Sequence, residues 1–476
     1  MKRWTNQLRR DYLAQLAASL LSLLSFFVQV SYNSSFPPNH NDFLGLGGQF
    51  QAVWAPFTYV EGALSTTVFT PLYFEYASFA AISISILAIF FAMRRVTNDV
   101  GGLVASTVFA LSPFAVRASS VIPLPSLIGM MLTMVTVAAA YSRSKTTALL
   151  LAVSGFLLGF FPLYAMGLLS AVLITYVLAW LDYDPSANFR SGFTALSILP
   201  SFLVTLFVDG QRIFELHGES FSVLSQTLPQ GFSLPTLLTW FGPLTIVFSL
   251  VALYRSVGGS ANNSPVFAGL TLVGGVLFAQ RLVDPLLGFS LLGLGLFALC
   301  GIGAHDVLNI RVKEHYQIVL YGAVILLLFV ALINLVAFLQ VDVSASRPDP
   351  VDVSGYKRLA STDKPRLIVS PRETAIAKYF AGPDRIPRSW TLQERAGDAI
   401  YDQVFITDLV EDIPQNATLV LSDWRRSVAR TTPRELLSSS QCFSSTFRYE
   451  GFSAWENQCV IRSSTAVAPT STTSAE

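Results

Sequence analysis

Asp42 is the first residue of the chain placed to do chemistry. It ends the run Asn39-His40-Asn41-Asp42, inside a stretch from Asn33 to Tyr76 that holds no Lys or Arg and only two other acids, Glu61 and Glu75. A long apolar segment precedes it. An apolar anchor followed by a cation-free loop with one early carboxylate suits a membrane enzyme working on the outer face, and equally suits a plain external loop with a solvated Asp. His40 reads as a loop residue rather than a ligand. Phe36, Trp54, Phe57 and Tyr59 in the same loop could line a groove for a lipid, or mark the membrane interface where aromatic residues collect.

The rest of the chain supplies the frame. Hydrophobic residues make up 52% and charged residues 13% of 476, and the mean hydropathy is +0.53, far from the roughly 25% charge of an average soluble domain. The chain is an integral membrane protein surrounded by membrane lipids. Its net charge of +1 gives no basic face for nucleic acid and no polybasic lipid patch. Charge is concentrated after residue 340, where 17 acids and 16 bases stand in Val341 to Glu476. The expected organisation is therefore a transmembrane domain over 1–340, a soluble domain over 341–462, and a Ser/Thr/Ala-rich tail over 463–476 with too little apolar surface to fold.

Apolar runs long enough to cross about 30 Å of hydrocarbon predict eleven transmembrane helices, near 12–32, 77–93, 100–116, 121–141, 146–162, 163–181, 192–208, 236–254, 265–282, 284–304 and 317–340. With the N terminus inside, twelve of the fifteen Lys and Arg residues before the tail fall on the cytoplasmic side, as the positive-inside tendency requires. The exceptions are Arg117, Arg212 and Arg281. They are the only basic residues predicted outside, where they could also snorkel to headgroups. The first segment is too long and too weakly terminated for a cleaved signal peptide, and an odd helix count sends the soluble domain to the outer face. Charges sit at helix ends and no period repeats, which fits an enzyme acting on a lipid-borne substrate better than a transporter with interrupted half-helices.

The soluble domain reads as mixed α/β. Strands are predicted at Arg366 to Ser370, Thr418 to Ser422, Phe443 to Tyr449 and Gln458 to Arg462, and helical spacing at Glu373 to Phe380 and Glu394 to Leu409. Thr432-Pro433-Arg434-Glu435 opens a further helix with a cap, a first-turn Pro and a Glu reaching back. Cys300 reads as core packing. Cys442 and Cys459 are either a disulfide in an oxidising compartment or two free thiols. No Cys/His pair has zinc spacing, and no Gly-rich phosphate loop or Ser/His/Asp set stands out.

Several stretches resemble the GT-C superfamily of membrane glycosyltransferases, and most closely the catalytic subunit of oligosaccharyltransferase in its archaeal form. Gly101 to Arg117, with Val108-Phe109-Ala110-Leu111-Ser112-Pro113, is similar to the family's third helix and its Ala-Leu-Ser-Pro turn. Gly155 to Phe161 resembles the Gly-rich fifth helix. Ser222 to Pro229 stands where the family has a fifth-loop motif ending in Pro, Arg281 resembles an outer-end arginine, and Ile413 to Arg426 resembles the approach to the WWDYG signature, with Trp424 on its second Trp. Trp424 also reads simply as the apolar anchor of a small domain.

The resemblance implies transfer of a sugar or glycan from a polyprenyl phosphate or diphosphate carrier to an acceptor polypeptide or glycan on the outer face of an archaeal plasma membrane. It implies that Asp42 activates the acceptor and binds a divalent metal, roles a carboxylate suits. It further implies that Arg117, Arg212 and Arg281, with Trp424, bind substrate, the cations facing the charge that develops on the departing phosphate. The sequence departs from the pattern at Ser119 to Ser126, which carries no acid, at Ser225, where the motif has Glu, and at Asp423 and Arg425 beside Trp424. Either the Mn or Mg ion is lost, or Glu61, Glu75, Glu215 or Glu219 completes its site, or the chain is a non-catalytic paralogue acting as scaffold or glycan-binding subunit.

Overall fold

Proline decides where many of the helices begin. Pro71, Pro113, Pro162, Pro243, Pro265, Pro285 and Pro350 each open one, at the position where the missing N–H has no intrahelical acceptor and the fixed φ already suits the helix. The structure is a computed structural model. It describes residues 2–33, 71–122, 124–142, 145–181, 190–208, 234–257, 265–280, 285–310, 314–339, 350–361, 367–368, 377, 380, 418–421, 437–438, 443–449 and 452–458. The chain divides into two compact units, Met1–Arg347 and Pro348–Glu476.

The first unit is helical. In chain order its described helices are α1 (Lys2–Asn33), α2 (Pro71–Val96), α3 (Asp99–Ala110), α4 (Pro113–Val121), α5 (Leu124–Ala140), α6 (Lys145–Gly159), α7 (Pro162–Leu181), α8 (Arg190–Val208), α9 (Leu234–Phe241), α10 (Pro243–Val257), α11 (Pro265–Gln280), α12 (Pro285–Leu308) and α13 (Glu314–Leu339). Among the described residues five helices, α1, α2, α8, α12 and α13, are long and apolar enough to cross a membrane, with shorter apolar helices between them. α12 is the hub and packs against α2, α3, α5, α7, α10, α11 and α13. Its membrane window is 78% buried, against 22% for α13.

Two predicted helices prove to be pairs. The run 100–116 is divided between α3 and α4, because Pro113 can neither donate to the preceding turn nor avoid its carbonyl. Ser112 makes the junction: its hydroxyl donates to the Phe109 carbonyl (2.6 Å) and accepts from the Ala115 N–H (3.2 Å). The run 236–254 is divided at Gly242, whose φ of +85° is a left-handed conformation open to glycine.

Hydrocarbon gives apolar helices little reason to leave lipid for one another, so close packing depends on small residues that let backbones meet. α6 and α8 show this. Gly155 and Gly159 of α6 lie against Ser197 and Ser201 of α8: a Cβ at Gly155 would stand 2.7 Å from the Ser197 Cβ, and one at Gly159 would stand 2.7 Å from the Ile198 carbonyl oxygen. At that distance the Ser201 hydroxyl donates to the Phe156 carbonyl at 2.6 Å.

The second unit holds α14 (Pro350–Ala360) and strands β1 (Leu367–Ile368), β2 (Thr418–Leu421), β3 (Phe443–Tyr449) and β4 (Phe452–Asn457), in the sheet order β1-β2-β4-β3. β1 and β2 are parallel, and the other pairings are antiparallel. α14 packs on β3 and β4, with the Tyr356 and Phe452 rings 5.0 Å apart. Among the described residues the last strand is Phe452–Asn457, which the sequence reading missed; of the predicted strand Gln458 to Arg462 only Gln458, just past its end, is described. Phe452, Ser453, Ala454 and Trp455 are all buried, so both faces of β4 are covered and the polar alternation that marks a strand is missing. Glu394 to Leu409, the cap at Thr432, the Cys442 and Cys459 thiols and the tail 463–476 lie outside the described residues, as does most of Glu373 to Phe380.

These glycine contacts give a direct test. Gly159→Leu must displace α8 and should destabilise the chain by about 1–3 kcal/mol, the usual cost of overpacking. Gly322→Ala in α13, where an added Cβ meets nothing within 4 Å, should leave the unfolding temperature unchanged or raise it. Thermal unfolding of the purified protein in detergent compares the two; equal losses would contradict the packing.

Candidate functional site

The contacts sort the helix ends into two groups. α1 runs antiparallel to α2, since Ser22 donates to the Ser83 carbonyl (2.7 Å) and the Phe26 and Phe79 rings are 6.4 Å apart. The pair Arg94–Asp99 ties the end of α2 to the start of α3 (2.5 Å), so Asn33, Pro71 and Ala110 lie towards the same end of the bundle. There the starts of α7 and α12 also meet: the buried Tyr164 hydroxyl and Ser290 hydroxyl are 2.9 Å apart. The Tyr164 ring lies over Gly129 of α5, where a Cβ would stand 2.5 Å from it.

The densest feature of this end is a cluster of aromatic rings. Phe114 of α4 has ring centroids at 5.5 Å to Phe241, 5.8 Å to Phe289, 6.0 Å to Phe297, 6.1 Å to Phe109 and 6.3 Å to Trp240. Phe289 in turn stands 4.8 Å from Trp240, edge to face, 4.8 Å from Phe241 and 5.2 Å from Phe278. Tilted and edge-on arrangements are those that ring quadrupoles favour. Gly293 of α12 provides the space, for a Cβ there would lie 2.8 Å from the Phe241 ring and 3.3 Å from that of Phe114.

The opposite end carries ion pairs. Besides Arg94–Asp99, Arg255 of α10 reaches α12, its Nε 3.8 Å from Asp306 and its Nη1 donating to the Asp306 carbonyl at 3.1 Å. Both pairs are partly exposed, so solvent screens them.

Of the sequence-derived site residues, Arg117 lies in α4, three residues beyond Phe114, with its side chain outside the described residues. Asp42, Arg212, Arg281 and Trp424 lie outside them altogether. What is described is their flanks. The connection 34–70 with Asp42 joins α1 to α2, the connection 209–233 with Arg212 joins α8 to α9, and 281–284 with Arg281 joins α11 to α12. All three open at the end that holds the aromatic cluster. Among the described residues no three His, Cys, Asp or Glu side chains gather to hold a metal. The acids considered for one, Asp42, Glu61, Glu215 and Glu219, lie outside the described residues, as does the Glu75 side chain, so no chemical step is derived through a metal. Cys300 is buried in α12 and acts in packing. The aromatic cluster and the Tyr164–Ser290 pair were not found by reading the sequence.

No protein-family model matches the chain, and no curated protein matches it in sequence. Solved structures do match. The oligosaccharyltransferase of Archaeoglobus fulgidus superposes with a TM-score of 0.52 at 9% identity, over 94% of this chain and 74% of that one. ArnT from Cupriavidus metallidurans gives 0.55 at 10% identity, over 92% and 97%, and arabinofuranosyltransferase AftD from Mycobacteria gives 0.54 at 14% identity, over 93% and 40%. The fold is that of the GT-C membrane glycosyltransferases. The same Archaeoglobus enzyme has been solved tethered to an acceptor peptide containing the NVT sequon, and in complex with an inhibitory peptide and a dolichol-phosphate. Within the GT-C bundle the aromatic cluster sits on the helices adjoining the predicted site segments.

If Gly293 is the space into which those rings fit, Gly293→Ala should lower stability by about 1–3 kcal/mol and alter the Trp240 emission, read as the difference from a Trp240→Phe background. Gly275→Ala, where the nearest atom to an added Cβ is 3.9 Å away, is the matched control. Wild-type stability and emission in Gly293→Ala would show that the rings are not packed on this glycine.

Proposed function

We propose that the chain is a membrane glycosyltransferase that moves a sugar or glycan from a polyprenyl phosphate or diphosphate carrier to an acceptor polypeptide or glycan on the outer face. One observation carries the reading: in a GT-C fold, the segments bearing Asp42, Arg117, Arg212 and Arg281 all adjoin one end of the bundle, while the described ion pairs of Arg94 and Arg255 lie at the other. The dolichol-phosphate and the acceptor peptide bound by the Archaeoglobus enzyme are consistent with these two substrate classes.

The side chains divide the work by charge. The Asp42 carboxylate orients the acceptor and takes up positive charge or a proton as the acceptor attacks the sugar carbon. The bond from that carbon to the carrier phosphate breaks, and the electron pair leaves on the phosphate oxygen. Arg117, Arg212 and Arg281 stabilise that charge, and the family pattern assigns Trp424 to substrate binding. Asp42 is also the carboxylate that would hold a Mn or Mg ion, which when bound would supply Lewis-acid stabilisation of the phosphate. The proposed placement is a multi-pass protein of eleven spans in an archaeal plasma membrane, N terminus cytoplasmic, with 341–462 extracytoplasmic.

The absence of acids at Ser119 to Ser126 and at Ser225 favours a second reading, a non-catalytic paralogue that kept the bundle as a scaffold or glycan-binding subunit. Transfer from extracted lipid-linked oligosaccharide separates the two, using membranes that express this chain with and without manganese. Asp42→Ala should reduce transfer by about 100-fold or more. Transfer that survives the substitution removes Asp42 from the mechanism, and no transfer by the wild type supports the scaffold.

A further inference from the structure

Gly242 leaves a gap that polar atoms line. Its φ of +85° turns the place of a Cβ towards two neighbours, the Asn334 Nδ2 at 3.0 Å and the Thr245 Oγ1 at 3.7 Å. Apart from residues 241 and 243, no other described atom stands within 4 Å of that point. Where Gly288 or Gly301 lets a backbone or a carbon come close, Gly242 keeps room between an amide and a hydroxyl.

Neither group has a partner to justify its place in hydrocarbon. α13 has the most apolar of the five membrane windows, with a mean hydropathy of 2.8, and from Gly322 to Leu339 its one polar side chain is Asn334. Thr245 of α10 is 2% exposed. Among the described residues neither side chain has a hydrogen-bond partner, whereas Ser249, one turn further along α10, donates to the Thr245 and Leu296 carbonyls at 2.7 Å each. A polar group buried without a partner costs stability that an apolar residue of the same shape does not. Polar residues retained in membrane helices are for that reason marks of function.

Position and chemistry define what the gap takes. α13 begins beyond the Asp306 end of α12, so Asn334, near the other end of α13, lies towards the ring cluster, as does Gly242, which follows directly on Trp240 and Phe241. An amide and a hydroxyl offer donors and acceptors but no charge. A phosphate is held best by cations; an alcohol, which donates and accepts at one oxygen, is satisfied by such a pair. We infer that the Gly242 gap, with Asn334 and Thr245, is a sugar subsite that receives a hydroxyl of the glycan carried on the lipid. The inference rests on the transferase reading above and deepens it by naming where the uncharged part of the donor is held.

Lipids that differ only by the sugar isolate this contact. The probes are undecaprenyl phosphate and its mannosyl and glucosyl forms, presented to the full-length chain in lipid nanodiscs. The wild type should bind at least one glycosylated form about tenfold more tightly than the bare phosphate, the worth of one or two neutral hydrogen bonds. Asn334→Leu and Thr245→Val should each lose most of that preference and bind undecaprenyl phosphate as the wild type does; either variant suffices should the other not fold. Without added probe both should unfold at the wild-type temperature or about 1–2 °C above it, because apolar atoms replace unpartnered polar ones, while Ser249→Ala should unfold below it. A sugar preference that survives in both variants overturns the inference, as does a lowered unfolding temperature or a failure to fold in both, which would mark the two groups as bonded within the protein. A wild type that binds the bare and glycosylated phosphates alike also overturns it and leaves the transferase reading standing. One that binds none of these lipids removes the polyprenyl carrier and the inference together.

Discussion

Apolar side chains lose little by facing lipid, so a helical bundle in hydrocarbon is held by how closely its backbones can approach. α12 is built on that constraint. Gly288 faces Phe278 of α11, Gly295 faces Phe267 and Thr271 of the same helix, Gly301 faces Gly101 and Ala105 of α3, and Gly303 faces the Phe248 backbone of α10. A Cβ on Gly301 would lie 2.6 Å from the Ala105 Cβ, and one on Gly288 would lie 2.5 Å from the Phe278 nitrogen. Different neighbours are reached through different glycines, which is how one helix can serve as the axis for most of the others. Close approach also brings hydroxyls within reach of foreign carbonyls, as where Ser249 donates to Leu296 of α12 at 2.7 Å. Bulky apolar residues go to the lipid side, with Ile318, Val319, Ile325 and Phe329 of α13 exposed.

The two ends of this bundle are finished with different chemistry. At one, Arg94–Asp99 and Arg255–Asp306 join helices by charge where headgroups and water are close. At the other, rings do the joining, and Gly293 turns the axis helix into a floor beneath them. A ring cluster keeps its geometry through shape and ring quadrupoles, with no charged partner required.

How far the sequence discloses this depends on the range of the signal. Membrane helices are visible because a long apolar run has few other fates, and the proline-marked starts of α2, α7 and α11 agree with it. The break at Ser112-Pro113 is less visible, for apolar residues continue on both sides of it, and the break at Gly242 rests on a backbone angle. In the second unit, β3 is legible from its alternation, whereas β4 is covered on both faces and looks like no strand in particular. The aromatic cluster is the least legible part. Phe114, Phe241 and Phe289 are far apart in the chain, and no period connects them. Asp42, Arg212, Arg281 and Trp424 were reached from sequence alone, by charge, side of the membrane and family pattern.

These ranges also explain how a chain can share a fold with other proteins at 9 to 14% identity. A bundle of this kind asks for small residues where backbones cross, prolines where helices start and apolar bulk elsewhere, and very many sequences meet those terms. Chemistry asks for one residue type at one point, mostly in the connections, where packing exerts little control. An acid missing from Ser119 to Ser126 therefore costs the bundle nothing: Phe114 and Ser112 hold the preceding helix whatever stands there. On the transferase reading it would bear on the site alone, because hard divalent cations are bound by several oxygens and the connections, not the bundle, would have to supply them.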